Sequence, residues 1–180
     1  MKSEKIMDEI KIVQKGNKVL REKTKEVPLE HIKNAEIRNI IEKLKQAIAR
    51  IEEAVAAAAP QIGRSLRIFV VSGYAVNPQK SPDEKKDKKD YGFIVFINPK
   101  ILKKSHEQIT LSEGCLSVEG VYGMIKRSEK IKVEAYNENG KKFIKSGAGL
   151  FAQVIQHEMD HLDGILFSDK AIALKKYEKQ

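Results

Sequence analysis

Residues 149–164 read GLFAQVIQHEMDHLDG, and both the fold and the chemistry turn on them. The apolar spacing predicts a helix over 149–163, stopped by Gly164 in a C-terminal cap. On such a helix His157 and His161 are four residues apart and share one face, where two imidazoles can hold one divalent ion. Glu158 follows the first histidine directly and can point toward a water at that ion. Two ligands and a carboxylate are the parts of a hydrolytic metal site. The plainer alternative is a solvated helix with two surface histidines. Leu150 and Val154 continue the same stripe at helical spacing, so they are candidates for an apolar pocket wall beside the metal. Ordinary core packing is the alternative for each.

Two histidines leave a metal under-coordinated, and the third ligand decides the class of site. One metallopeptidase pattern runs H-E-x-x-H-x-x-G-x-x-H. Gly164 falls in place here, but Phe167 occupies the last histidine position. Another pattern takes a glutamate further downstream, and only Glu178, near the chain end, is available. Upstream, the single cysteine, Cys115, is the best remaining donor, in the segment EGCLS at 113–117. One thiolate with two imidazoles suits zinc or ferrous iron. The competing reading of a lone cysteine is a small buried hydrophobe.

Outward from the site, the chain alternates strand and helix signals. Residues 11–13 are expected as a short strand before a turn at Gly16-Asn17. Residues 35–59 have strong helical propensity, with Ile37, Ile40, Ile41, Leu44, Ile48 and Ile51 at helical spacing, and Pro60 ends that helix. LRIFVVS at 66–72 is a buried strand by its continuous apolar run. Residues 93–97 form the next strand, ended or bent by Asn98-Pro99. Residues 130–136 alternate as a strand, turn at Asn139-Gly140, and pair with 143–145. Residues 77–90 are a charged surface loop. The basic tail, 169–180, is expected to hold a short helix over 169–177. Strands in runs, flanked by helices, predict an α+β fold of mainly antiparallel sheets packed around a central metal-binding helix, with a further helix in the N-terminal half.

Composition narrows the classes. The 180 residues suit one catalytic domain, 1–180, with a short C-terminal tail. No run is long and apolar enough for a membrane helix, and the first eleven residues lack the apolar core of a secretory leader. The expectation is a cytoplasmic location with no membrane partner. The formal charge is +9, with 34 Lys and Arg against 25 Asp and Glu. No pattern of interleaved aromatic and basic residues is present, so sequence-specific nucleic-acid binding is not expected; lysine runs are read as solvated faces, with electrostatic contact of basic regions with a ribosome surface as the functional alternative. No heptad or symmetric patch stands out, and a monomer is expected.

EGCLS at 113–117 and QHEMDHLDG at 156–164 resemble the second and third signature motifs of the peptide deformylases. The first motif of that family is written G-x-G-x-A-A-x-Q, and the matching stretch here is AVAAAAPQ at 54–61. The resemblance extends over 11–27, 66–71, Asn98-Pro99 and Gly149-Leu150. It implies hydrolysis of the formyl group from the N-terminal formylmethionine of nascent chains, releasing formate. It implies one divalent ion, Fe²⁺ by family and replaceable by Zn²⁺ or Ni²⁺, on Cys115, His157 and His161. Glu158 would move the proton. The side-chain amide of Gln61 and the backbone N–H of Leu116 would meet the oxyanion, and Val55 and Ala56 would lie along the bound peptide. Glu113 and Arg127 would pair and brace the cysteine loop.

One departure stands out. Ala54 and Ala56 replace family glycines, and the poly-alanine run favours helix toward Pro60. Alanine there is compatible with negative φ, with a shifted peptide, or with a displaced Gln61. Two further functions therefore stay open. One is a metalloamidase of this fold with another N-acyl substrate. The other is a non-catalytic relative that binds peptide or ribosome.

Overall fold

The structure is a computed structural model and describes residues 10–76 and 91–176. The charged loop expected at 77–90 and the last residues of the basic tail lie outside them. After two 3-10 turns, α1 (Ala35–Arg50) buries Ile37, Ile40, Ile41, Leu44, Ala47 and Ile48 along one stripe. Burial of each large aliphatic in such a stripe contributes about 1.5–3 kcal/mol. β1 (Ala56–Ala58), β2 (Ile68–Ser72) and α2 (Gly73–Val76) follow. The chain continues through β3 (Phe93–Lys104), β4 (Gln108–Cys115), β5 (Val118–Ser128), β6 (Lys130–Tyr136) and β7 (Lys142–Ala148). It closes with α3 (Gly149–Leu162), α4 (Phe167–Lys170) and β8 (Ala173–Lys176).

The strands form two antiparallel sheets, ordered β1-β2-β3-β6-β7 and β4-β5-β8. The larger sheet is covered on both faces. Phe69, Val71, Phe96, Ile131 and Val133 pack on one face with Phe151, Ile155 and Leu162 of α3. Ile68, Val70, Val95 and Ile97 pack on the other with the α1 stripe. Alternation in β2 and β3 feeds the two cores in turn, which is why IFVVS is apolar at four consecutive positions. The result is the α+β architecture expected from the sequence.

Several local expectations are corrected. The helix predicted over 35–59 stops at Arg50, and Ala56–Ala58 is a strand paired with Phe69, Val70 and Val71. Ala56 and Ala58 enter the α3-side core, while Ala57 and Ala59 enter the α1-side core. Only small side chains let two helices close on one strand, and this packing overrides alanine's helical propensity. Residues 11–13 join no sheet, although the Val13 N–H donates to the Gln61 carbonyl at 2.8 Å. The helix expected over 169–177 is replaced by α4 and β8. β8 adds to the edge of β5, and that pairing satisfies backbone groups which a short exposed helix would leave to water. The β4–β5 hairpin pairs two strands that carry no clear strand signal in the sequence. Asn98 bends β3 rather than ending it. It holds φ at 50°, and its carboxamide exchanges two hydrogen bonds with the Val27 backbone, at 2.8 and 2.7 Å.

Candidate active site and metal centre

Two elements carry the candidate ligands. α3 presents His157 and His161 one turn apart, and Cys115 ends β4 at a register break against β5. α3 is anchored lengthwise by Gln156, whose side chain accepts from the Ser128 N–H at 3.1 Å and donates to the Ser128 carbonyl at 2.9 Å. Its C-terminus is fixed by Gly164 at φ 74°, where an added Cβ would lie 2.6 Å from the Arg21 carbonyl oxygen. Only glycine fits there.

The donor atoms of Cys115, His157 and His161 all lie within 4.8 Å of one another, and Cys115 Sγ stands 3.1 Å from His161 Nε2. A tetrahedral zinc-like site needs donor separations of about 3.3–3.6 Å, so the three atoms bracket the required spacing. His157 Nδ1 is 2.9 Å from Glu113 Oε2, which leaves Nε2 as the nitrogen available to an ion. Burial, with neighbouring His157 adding to it, holds the His161 imidazole well below its usual pKa, whereas at His157 the hydrogen bonds of Cys115 and Glu113 outweigh burial and hold the ring well above it, so an ion binding there would displace the His157 proton. The donor set fits a borderline-soft divalent ion.

Behind the candidate ligands runs an ionic chain, buried at Glu113, Arg127 and Asp160 and exposed at Lys170. Arg127 donates to both carboxylate oxygens of Glu113 at 2.8 Å, and to Asp160 Oδ2 at 2.6 Å. Lys170 of α4 reaches Asp160 Oδ1 at 2.5 Å. Burial alone would raise the Glu113 carboxyl, but hydrogen bonds from Arg127 and His157 overcome it and hold the pKa at about 2. The carboxylate is thus ionised and fixes the His157 ring. Asp160 and Lys170 were missed in the sequence. Asp160 sits inside the H-E-x-x-H segment, and a buried acid there signals a buried cation, which is Arg127. Arg127→Met is expected to lower stability by about 3–5 kcal/mol, read as a chemical-denaturation midpoint, because it strips Glu113 and Asp160 of the buried cation they share and leaves them only His157 and the part-exposed Lys170.

Of the three candidate ligands, Cys115 and His157 open onto a cleft of about 760 Å³. Val55, Ala56, Gln61, Leu116, Leu150, Val154 and Glu158 all line it, so the structure brings together every residue singled out in the sequence. Leu150 and Val154 also touch the α3-side core, so both of their readings hold at once. Ala54 and Ala56 are buried, and Asn98 is the only non-glycine residue with positive φ among the described residues. Alanine is therefore accommodated at both departures without backbone strain. Nor is Gln61 displaced. Its Oε1 accepts from the Ala58 N–H at 2.9 Å, which turns Nε2 toward Cys115 Sγ, 3.5 Å away. Glu158 is 3% exposed, and its Oε2 has no hydrogen-bond partner. Burial pushes its carboxyl up to about 7, against the influence of His157 and Arg127.

The family profile described as polypeptide deformylase matches residues 10–177. The chain belongs to the polypeptide deformylase family. Deformylase relatives include "Peptide deformylase 1A, chloroplastic" of Solanum lycopersicum, 38% identical over 162 residues. That match covers 88% of this chain and 58% of the tomato protein. "Peptide deformylase 1" of Bacillus anthracis is 39% identical over 163 residues, covering 89% of this chain and 91% of that protein. Among solved structures, a peptide deformylase from Synechococcus elongatus, in complex with actinonin, superposes with a TM-score of 0.75 at 30% identity. It covers 93% of this chain and 81% of its own. The deformylase family is metal-dependent and acts on N-formylmethionyl peptides, and the Cys-His-His group of this chain answers to that chemistry. No helix among the described residues is long and apolar enough to cross a membrane.

Proposed function

We propose that this chain removes the formyl group from N-terminal formylmethionine of newly made polypeptides, using one divalent ion held by Cys115, His157 and His161. The observation that carries this reading is the convergence of one thiol and two imidazoles beside a buried carboxylate, at the wall of a cleft. A divalent ion in such a site supplies Lewis acidity, which acidifies water and polarises a carbonyl. Fe²⁺ is the expected ion, and Zn²⁺ or Ni²⁺ are able to replace it.

Glu158 takes the proton of the attacking water and returns it to the departing amine of methionine. A buried carboxyl beside the candidate ligands, with one oxygen unpartnered at the cleft wall, is placed for both transfers. Gln61 Nε2 and the Leu116 N–H meet the formyl oxygen as it gains charge. The Ala58 N–H pre-orients the Gln61 carboxamide, so little reorganisation accompanies the reaction. Val55 and Ala56 lie at β1, the outermost strand of its sheet, where an extended peptide can add as a further strand. Leu150 and Val154 supply apolar surface for the methionine side chain, and actinonin binding is expected in the same cleft. Gln61→Leu is expected to lower kcat by about 10²–10³-fold with its metal retained, measured as formate release at fixed metal content.

Formate release from formyl-Met and acetate release from acetyl-Met peptides, measured side by side, test the substrate assignment. Preference for the acetyl peptide would overturn it in favour of another N-acyl amidase. Hydrolysis of neither, with peptide binding intact, would favour a non-catalytic relative. The protein is read as a cytoplasmic monomer. Ribosome contact is read at the exposed end of the β3–β6 pair, where Lys103 stands directly opposite Lys132. Like charges paired across strands destabilise a sheet, and an RNA surface would neutralise them.

A further inference from the structure

None of the residues of α4 lines the cleft, yet both ends of this turn reach α3 beside the candidate ligands. Phe167 is buried, and its ring stacks on that of His157 with centroids 6.2 Å apart. Lys170 holds Asp160 Oδ1 at 2.5 Å, while Asp160 Oδ2 accepts from Arg127. Positions i and i+3 of a helical turn share one face, so Phe167 and Lys170 point the same way. The two residues between them hold the N-terminal segment instead. Lys15 Nζ lies 3.3 Å from Ser168 Oγ, and Arg21 grips the Asp169 carboxylate with two nitrogens. Just past the turn, the Ile172 N–H donates to the Met124 carbonyl at 2.7 Å, which ties α4 to β5, the strand of Arg127. Lys170 is thus delivered to Asp160 by a turn fixed on three sides.

We propose that Lys170 is a positioning residue for the metal centre, and that α4 thereby sets how tightly the ion is held. The inference rests on the reading of Cys115, His157 and His161 as the ligand set, and adds a residue that touches neither ion nor substrate. Lys170 ends a chain that runs through Asp160, Arg127 and Glu113 to His157. Arg127 divides one planar guanidinium between two carboxylates, with Nε and Nη2 on Glu113 and Nη1 on Asp160. Lys170 meets the demand of Asp160 from the other side, so the guanidinium can stay square on Glu113, which in turn orients the His157 ring. Without Lys170, Arg127 is the one ion-pair partner left to Asp160 among the described residues. The guanidinium is then drawn toward Asp160 and away from Glu113. Losing a hydrogen-bond partner of a ligand costs about 10–100-fold in metal affinity. Lys170 acts from further out and its side chain is 43% exposed, so about three- to tenfold is expected, screened by salt.

The test loads the parent chain, Lys170→Met and Lys170→Arg with Co²⁺ and titrates each with a competing chelator at low salt. The sulfur-to-cobalt absorption band and the visible cobalt bands report the site, and a thermal melt reports the fold. The expected result is Co²⁺ affinity about three- to tenfold weaker in Lys170→Met, with altered visible bands and the sulfur band retained. Lys170→Arg restores both affinity and bands, because its cation still reaches Asp160. The deficit of Lys170→Met narrows in about 0.5 M salt. Parent-like affinity and bands in Lys170→Met would overturn the proposal, as would a loss that Lys170→Arg fails to restore. A parent chain with no sulfur-to-cobalt band would remove the ligand set, and the proposal with it. Cobalt held as expected across the series, with no formate release from the parent chain, would leave the role of Lys170 standing and remove the deformylase reading instead.

Discussion

Glu158→Ala is expected to bind its metal as the parent chain does and to lose about 10²–10⁴-fold in kcat. The expectation follows from position. Glu158 sits between the two candidate ligands in sequence but is not one of the three converging donors. Its carboxylate is buried at the cleft wall with one oxygen unpartnered, and burial lifts its pKa to about 7. A group held this way can accept a proton from water near neutral pH and return it to an amine. Alanine removes the carrier and relieves a desolvation penalty, so the variant should be at least as stable as the parent. Metal analysis, a thermal melt and formate release on one preparation check all three parts. Turnover within threefold of the parent, at equal metal content, would remove Glu158 from the mechanism.

Cys115→Ser is expected to weaken metal binding by at least about 100-fold, a larger loss than removing a hydrogen-bond partner of a ligand typically causes. A serine hydroxyl stays protonated near neutrality and is a hard, weak donor, whereas a thiolate is a strong ligand for borderline-soft ions. The site has no obvious substitute for the sulfur. Among the described residues, the only cluster of potential ligand atoms is Cys115, His157 and His161. Glu113, the nearest acid in sequence, is committed to Arg127 and His157. Activity should fall with metal content and recover only partly in excess metal. Unchanged metal content and activity in Cys115→Ser would show that the sulfur is not a ligand.

The parts of this fold that were legible in sequence are those where one local signal has one outcome. α3 could be read because its apolar stripe, its H-E-x-x-H spacing and Gly164 agree, and the helix runs Gly149–Leu162. The β6–β7 hairpin could be read because alternation and Asn139-Gly140 agree. The poly-alanine stretch could not. Alanine favours helix in isolation, and only the packing of α1 and α3 on either side of β1 makes it a strand. The β4–β5 hairpin was masked by glycines. At one of them, Gly114, an added Cβ would meet the Tyr122 ring at 2.8 Å and push that exposed ring aside. Within the site, types and spacing pointed to the ligands, whereas Asp160 and Lys170 were hidden because they act through Arg127, a partner 33 residues from Asp160 in sequence.

X-ray absorption of the anaerobically metal-loaded protein tests the central claim most directly. One sulfur scatterer at about 2.3 Å with lighter nitrogen or oxygen neighbours at about 2.0–2.2 Å is the predicted first shell for zinc. Loss of the sulfur signal in Cys115→Ser completes that prediction. A first shell of nitrogen and oxygen alone in the parent chain would contradict it.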